Sequence, residues 1–90
     1  MSKKILVIDD EISILDSLAG ILTDEGFTPL CVASAEEGLE RLKSETVDLV
    51  LLDIWLPGMD GIEALKQIKA EYPELQVIMI SGHGTIETAV

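Results

Sequence analysis

Leu49-Val50-Leu51-Leu52-Asp53-Ile54-Trp55-Leu56-Pro57-Gly58-Met59-Asp60-Gly61 decides the fold of this chain. The stretch begins as an uninterrupted apolar run, the pattern of a strand buried on both faces. It stops on a carboxylate, Asp53, and a turn carrying Pro57, Gly58 and Gly61 follows. A charged group at the mouth of a buried strand is costly to desolvate unless a cation or a reaction uses it. Helix capping is the ordinary role for an Asp in such a place. Here capping falls to Asp60, which has Glu63 at the capping-box position. Asp53 therefore needs a partner elsewhere in the chain.

Ninety residues suit one small domain. A hydrophobic share of 48% supports a packed core, and an aromatic share of 3% makes that core aliphatic. Few aromatics argue against stacking on bases, and a net charge of −11 argues against a nucleic-acid surface. Most of the acidic residues belong on solvated helix faces. Cys31 is alone, so no intramolecular disulfide forms, and its apolar surroundings suggest a buried structural thiol. The apolar run after Ser2-Lys3-Lys4 is too short for a signal peptide, and no segment approaches a membrane span. The expectation is a soluble, cytoplasmic domain.

In chain order, Ile5 to Ile8 reads as a buried first strand ending in Asp9-Asp10-Glu11. From Ile12 to Glu25 the period becomes helical, with Ile14, Leu15, Leu18, Ile21 and Leu22 on the inner face and Gly26 as C-cap. Thr28 to Ala33 is a second strand, and Pro29 near its start suits an edge. Ser34 and Glu37 open a helix with Ala35, Leu39 and Leu42 inward. The third strand is Asp48 to Leu52. The third helix runs from Gly61 with Ile62, Leu65, Ile68 and Tyr72 on one side, until Pro73 stops it. Gln76 to Ile80 is a fourth strand, Ser81-Gly82-His83-Gly84 a turn, and Thr85 to Val90 the opening of a helix. This βαβαβαβα alternation predicts an α/β fold, a parallel sheet with helices on both faces. All strand C-termini then share one edge, where open α/β sheets bind ligands.

That edge supplies the partners for Asp53. Asp9 and Asp10 end the first strand, Asp53 ends the third, and Ser81 follows the fourth. Three neighbouring carboxylates repel unless a cation intervenes. An all-oxygen set with few protein donors suits Mg2+, which keeps several waters and completes its shell with phosphate oxygens. His83 and Cys31 are isolated, so zinc or a redox metal has no ligand cluster. Carboxylates, a hard cation and a hydroxyl at a strand edge point to phosphoryl chemistry, with Asp53 as nucleophile or ligand. The plainer alternative is that Asp9 and Asp10 cap the first helix, but one cap does not need two Asp residues and a third besides.

Three segments, Val7-Ile8-Asp9-Asp10-Glu11, Leu52 to Gly61, and Ile80-Ser81-Gly82-His83-Gly84, resemble the receiver (phosphoacceptor) domain of two-component response regulators. The resemblance covers the whole chain and is nearest to the nitrogen-regulation, enhancer-binding class. It implies a flavodoxin-like, doubly wound sheet with order 2-1-3-4 for the strands present. It also implies that Asp53 accepts a phosphoryl group from a sensor histidine kinase. Asp10 would bind Mg2+ directly, Asp9 mainly through water, and the backbone carbonyl of Trp55 would be a further ligand. The Ser81 hydroxyl and Gly82 amide would contact phosphoryl oxygens, and the loop and helix beyond them would switch an output in a transcriptional regulator. The Trp55 side chain would form a wall of the rim, and His83 has no part in the mechanism.

The departure is at the C-terminus. The family's fifth strand, with its Lys, and its last helix are missing, so residues 1–90 read as a truncated receiver without its output domain. An apolar fourth-strand edge and an under-covered sheet face then suggest a homodimer or other self-association. Two rival functions remain. A haloacid-dehalogenase-type phosphatase needs a second Asp as general acid where Trp55 stands, which counts against it. A phosphorylation-impaired interaction module would follow from the missing Lys.

Overall fold

In the computed structural model, residues 2–80 are described in full and residues 86–89 as backbone. Strands β1 (Lys4–Ile8), β2 (Thr28–Val32), β3 (Leu49–Asp53) and β4 (Gln76–Ile80) are parallel. Helices α1 (Ile12–Asp24), α2 (Ala35–Ser44) and α3 (Gly61–Glu71) connect them. A fifth strand, β5 (Ile86–Ala89), lies antiparallel against β4, and the sheet order is β2-β1-β3-β4-β5. The four parallel strands thus have the expected order, and β2 with its Pro29 is the edge.

Strand alternation sorts the core into two layers. Leu6, Ile8, Val50, Leu52, Val77 and Met79 meet Ala35 and Leu42 of α2 and Ala64 and Ile68 of α3. Ile5 and Val7 turn the other way and pack with Leu15 of α1, supported by Leu18, Leu22 and Phe27. The core is aliphatic, as composition required, and each fully buried Leu or Ile contributes about 1.5–3 kcal/mol relative to exposure.

The helix ends follow their sequence signals. Phe27 N–H donates to Leu22 O at 2.9 Å and Gly26 N–H to Thr23 O at 3.0 Å, with Gly26 left-handed (φ +90°). This is a Schellman closure. Ser34 Oγ accepts from Glu37 N–H at 3.1 Å, and the Glu37 carboxylate reaches back to Ala33 N–H, one residue before the cap. Asp60 Oδ1 accepts from Glu63 N–H at 2.9 Å, so Asp60 caps α3.

Four expectations need correction. Ile21 is exposed, because it sits about 100° around α1 from Leu22 and falls past the stripe that the sheet covers. Ile62 is also exposed: the inner line of α3 is Gly61, Ala64 and Ile68, small at its start where the helix runs against β3. β3 starts and ends one residue later than predicted, so Asp53 is itself part of the ladder, paired with Ile80. The segment after Thr85 forms β5 rather than a helix. Its pairing satisfies backbone groups on the outer side of β4, so the predicted bare β4 edge is covered by the chain itself. The under-covered face is observed: Leu49 and Leu51 are only half-buried, beside a groove of about 460 Å³. Among the described residues, no helix is long and apolar enough to cross a membrane.

Candidate acidic site at the strand ends

β1 and β3 are neighbours, with Ile8 paired to Leu52. The next residue on each strand, Asp9 and Asp53, therefore arrives at the same height on the edge. Asp9 N–H adds one bond to Val32 O at 3.2 Å, which holds the exit of β1 against β2. Asp9 and Asp53 are 3% and 5% exposed, whereas Asp10 is exposed. One carboxylate oxygen from each of the three lies within 4.8 Å of the others. The structure brings together the three acids that the sequence singled out.

Each buried acid is pinned by its own loop. Asp9 Oδ1 accepts from Glu11 N–H at 2.9 Å, and Asp53 Oδ1 accepts from Trp55 N–H at 3.1 Å. Both are i to i+2 Asx-type contacts. The N-cap of α1 is Glu11, which makes no side-chain cap. Asp9 thus shapes the turn into α1 without capping it. Among the described residues no buried side-chain oxygen lacks a partner, so the second oxygens of Asp9 and Asp53 open toward solvent. The ion pairs among these residues, Lys4–Glu45, Arg41–Glu45 and Lys43–Glu40, all lie elsewhere.

This donor set fits a hard divalent cation. Among the described residues, three carboxylates converge without a cationic side chain paired to them, and an ion with water in its shell would offset their repulsion. Burial pushes the Asp53 carboxyl above the usual carboxylate range. The Trp55 amide works against that shift, and the negative charges of Asp9, Asp10 and Glu11 add to it. Glu11 was missed as a contributor in the sequence; the Asp-x-Glu spacing of an Asx turn was its signal.

A raised value in the folded state means that the native chain holds this proton more tightly than the unfolded chain. The associated stability is present below the unfolded value and is lost as pH rises through the folded one. Metal-free chain should therefore lose stability above the ordinary Asp range, and Asp53→Asn should flatten that loss while keeping an acceptor for Trp55 N–H. Thermal melts against pH in a chelator check this, and saturating Mg2+ should restore the parent at neutral pH. Parallel pH curves for parent and variant would refute it.

The turn after Asp53 is held by Gly61, whose N–H donates to Ile54 O at 3.1 Å. A Cβ at Gly61 would stand 2.7 Å from Ile54 Cα and closer still to the Asp53 carbonyl. Only glycine lets α3 start this close to β3. Trp55 lends its amide to Asp53 while its side chain is 67% exposed at the rim. Ser81, Gly82 and His83 lie outside the described residues; Ile80, just before them, pairs with Asp53.

The family profile described as the response regulator receiver domain matches residues 5–90. The chain belongs to this family. An NtrX-like response regulator of Rickettsia bellii is 51% identical over 88 residues, which cover 96% of this chain and 18% of that protein. The receiver therefore spans about a fifth of the length of such relatives. In a crystal structure of Brucella abortus NtrX with ADP, 48% identity accompanies a TM-score of 0.87, covering 93% of this chain and 20% of that one. The Thermotoga maritima response regulator TrrA, crystallised in complex with Mg(2+)-BeF, is 35% identical with a TM-score of 0.85, covering 90% and 72%. Receiver domains are signalling domains, and the nitrogen-regulation resemblance agrees with these NtrX relatives.

Proposed function

We propose that this receiver takes a phosphoryl group from a sensor histidine kinase onto Asp53, and that residues 1–90 are most of the receiver of a longer cytoplasmic transcriptional regulator. The observation that carries the reading is the convergence of Asp9, Asp10 and Asp53 at the C-terminal edge of the sheet. Asp9, Asp10, Asp53 and the Trp55 carbonyl are the ligands assigned to Mg2+. When bound, the ion neutralises the crowded carboxylates and the charge of the incoming phosphoryl oxygens.

The Trp55 amide holds one oxygen of Asp53 and orients the other toward solvent. That free oxygen attacks phosphorus in line. A P–O bond forms on Asp53 as the P–N bond to the donor imidazole breaks, and the imidazole leaves with the electron pair and takes a proton. The Ser81 hydroxyl and Gly82 amide contact phosphoryl oxygens, and their movement toward the acyl phosphate is the switch. The same site promotes later hydrolysis, so the domain assists both its own phosphorylation and its own dephosphorylation. Family membership and the intact acidic triad favour this phosphoacceptor over an impaired interaction module. The half-buried Leu49 and Leu51 favour self-association through the sheet face.

The test is incubation with acetyl phosphate and Mg2+, followed by peptide mapping. A base-labile phosphoryl group on the peptide containing Asp53 is expected, lost in chelator. No incorporation by folded protein, or incorporation elsewhere, would overturn the assignment.

A further inference from the structure

Among the described residues, Gly38 and Gly61 are the glycines at which an added Cβ would strike a neighbour. Both lie where a helix rests on the end of a central strand. Gly61 at the start of α3 abuts the backbone of Asp53, the last residue of β3. Gly38 in α2 faces Ile8, the last residue of β1. Its φ is not in the left-handed region, and glycine in mid-helix weakens α2 relative to alanine. The reason for a glycine is therefore space. A Cβ at Gly38 would overlap Ile8 Cδ1 and stand 3.0 Å from Ile8 Cγ1, so the Ile8 side chain is seated in the gap. Ile8 is 1% exposed and paired with Val32 and Leu52, which leaves it little room to turn. Asp9 follows Ile8 and Asp53 follows Leu52. α2 and α3 pack on the same face of the sheet, so Gly38 fixes how close the end of β1 comes to that layer, and Gly61 does the same for β3.

We propose that Gly38 is a positioning residue for the cation: with Ile8 it sets the level of Asp9 relative to Asp53, and so the ion radius that the three carboxylates accept. This rests on reading Asp9, Asp10 and Asp53 as a divalent-cation site. A methyl group at Gly38 pushes Ile8 away from α2, and Asp9 moves with it. Asp53 does not follow, because its backbone is held against Gly61. The carboxylate oxygens of Asp9 and Asp53 then shear apart. Mg2+ holds its oxygens at about 2.0–2.1 Å in near-octahedral geometry, whereas Ca2+ takes about 2.3–2.6 Å in a flexible shell. A sheared site loses the small, exacting ion first. The ratio of Mg2+ to Ca2+ affinity therefore reports the level of Asp9, and a mere loss of stability does not move it.

The experiment is a cycle of Gly38→Ala, Ile8→Val and the double variant. Mg2+ and Ca2+ are each titrated into folded protein, well below the melting transition, and binding is read on Trp55, the sole tryptophan. Gly38→Ala overfills the gap and should lower Mg2+ affinity about fivefold, but Ca2+ affinity less than about twofold. Ile8→Val removes the seated Cδ1 and should lower the Mg2+/Ca2+ ratio about twofold. The double variant exchanges one methyl for the other and should return the ratio to that of the parent. An unchanged ratio in both single variants would overturn the proposal, and so would a double variant in which the two losses add. If Gly38→Ala does not fold, Ile8→Val and the double variant decide by the same criteria. A parent that binds neither ion overturns the cation-site reading and this inference with it.

Discussion

Asp53→Asn should abolish Mg2+-dependent phosphoryl labelling, and a chain extended through a parallel fifth strand carrying a Lys should label on the order of a hundredfold faster than residues 1–90. The first expectation follows from removing the proposed acceptor oxygen, the second from the charge around the site. In the proposed transfer, the acids and a bound cation would serve one side of the phosphoryl group. The opposite side needs a positive charge, where the family resemblance implies a Lys on a later strand. Among the described residues no Lys or Arg is paired with the acidic cluster. Losing one such donor from a pre-organised site commonly costs about 3 kcal/mol. Extension also has a structural requirement. β4 has one outer edge, and β5 occupies it. A parallel strand takes that place only if residues 86–89 leave, adopting the helix that their sequence suggests. Initial labelling rates of the two chains with one phosphodonor decide the matter; equal rates would mean that the Lys is dispensable.

Gly61→Ala should cost about 3 kcal/mol, at the upper end for overpacking, because the clash is with backbone. The new methyl would meet Ile54 Cα and the Asp53 carbonyl, neither of which can rotate away. The start of α3 must then retreat, and the Gly61–Ile54 hydrogen bond goes with it. At about 4–8 °C per kcal/mol for a domain of this size, the melting midpoint should fall by roughly 12–24 °C. Labelling should fall too, since the displaced carbonyl belongs to Asp53, the proposed acceptor. Gly20→Ala is the control. It has open space around it in mid-helix, so alanine there should stabilise by about 0.5–1 kcal/mol. A melt of Gly61→Ala within a few degrees of the parent would show that α3 can shift freely.

Much of this was legible in the sequence, for identifiable reasons. Val50 and Leu52 lie in a continuous apolar run that marks a central strand, although the face bearing Leu49 and Leu51 is only half-covered, and Asp9, Asp10 and Asp53 end such runs. Caps at Ser34 and Asp60 carry local signals, and both formed. What escaped depended on contacts across the fold. Apolar periodicity placed Ile21 and Ile62 inside because it weighs side chains alone. It does not register how far the sheet extends under α1, or that α3 needs Gly61 and Ala64 on its inner line. The helix expected after Thr85 lost to the open edge of β4, a tertiary demand that no local pattern encodes. Pinning of Asp9 and Asp53 by the amides two residues on was legible only in part, as Asx spacing.

The register of the central strands has a mechanical consequence. β2 and β1 with α1 form one half of the parallel sheet, and β3 and β4 with α3 form the other; the halves meet at a seam between Ile5–Ile8 and Leu49–Leu52. Asp9 stands on one side of that seam and Asp53 on the other. Without a counter-ion their charges push the halves apart at the end where the ladder stops. A cation held between them would act as a clasp, and a slip of one residue, about 3.3 Å, would open it. Metal occupancy and closure of the seam are then one equilibrium. Amide exchange should slow most along β1 and β3 when Mg2+ is added, and least along the outer strand β2.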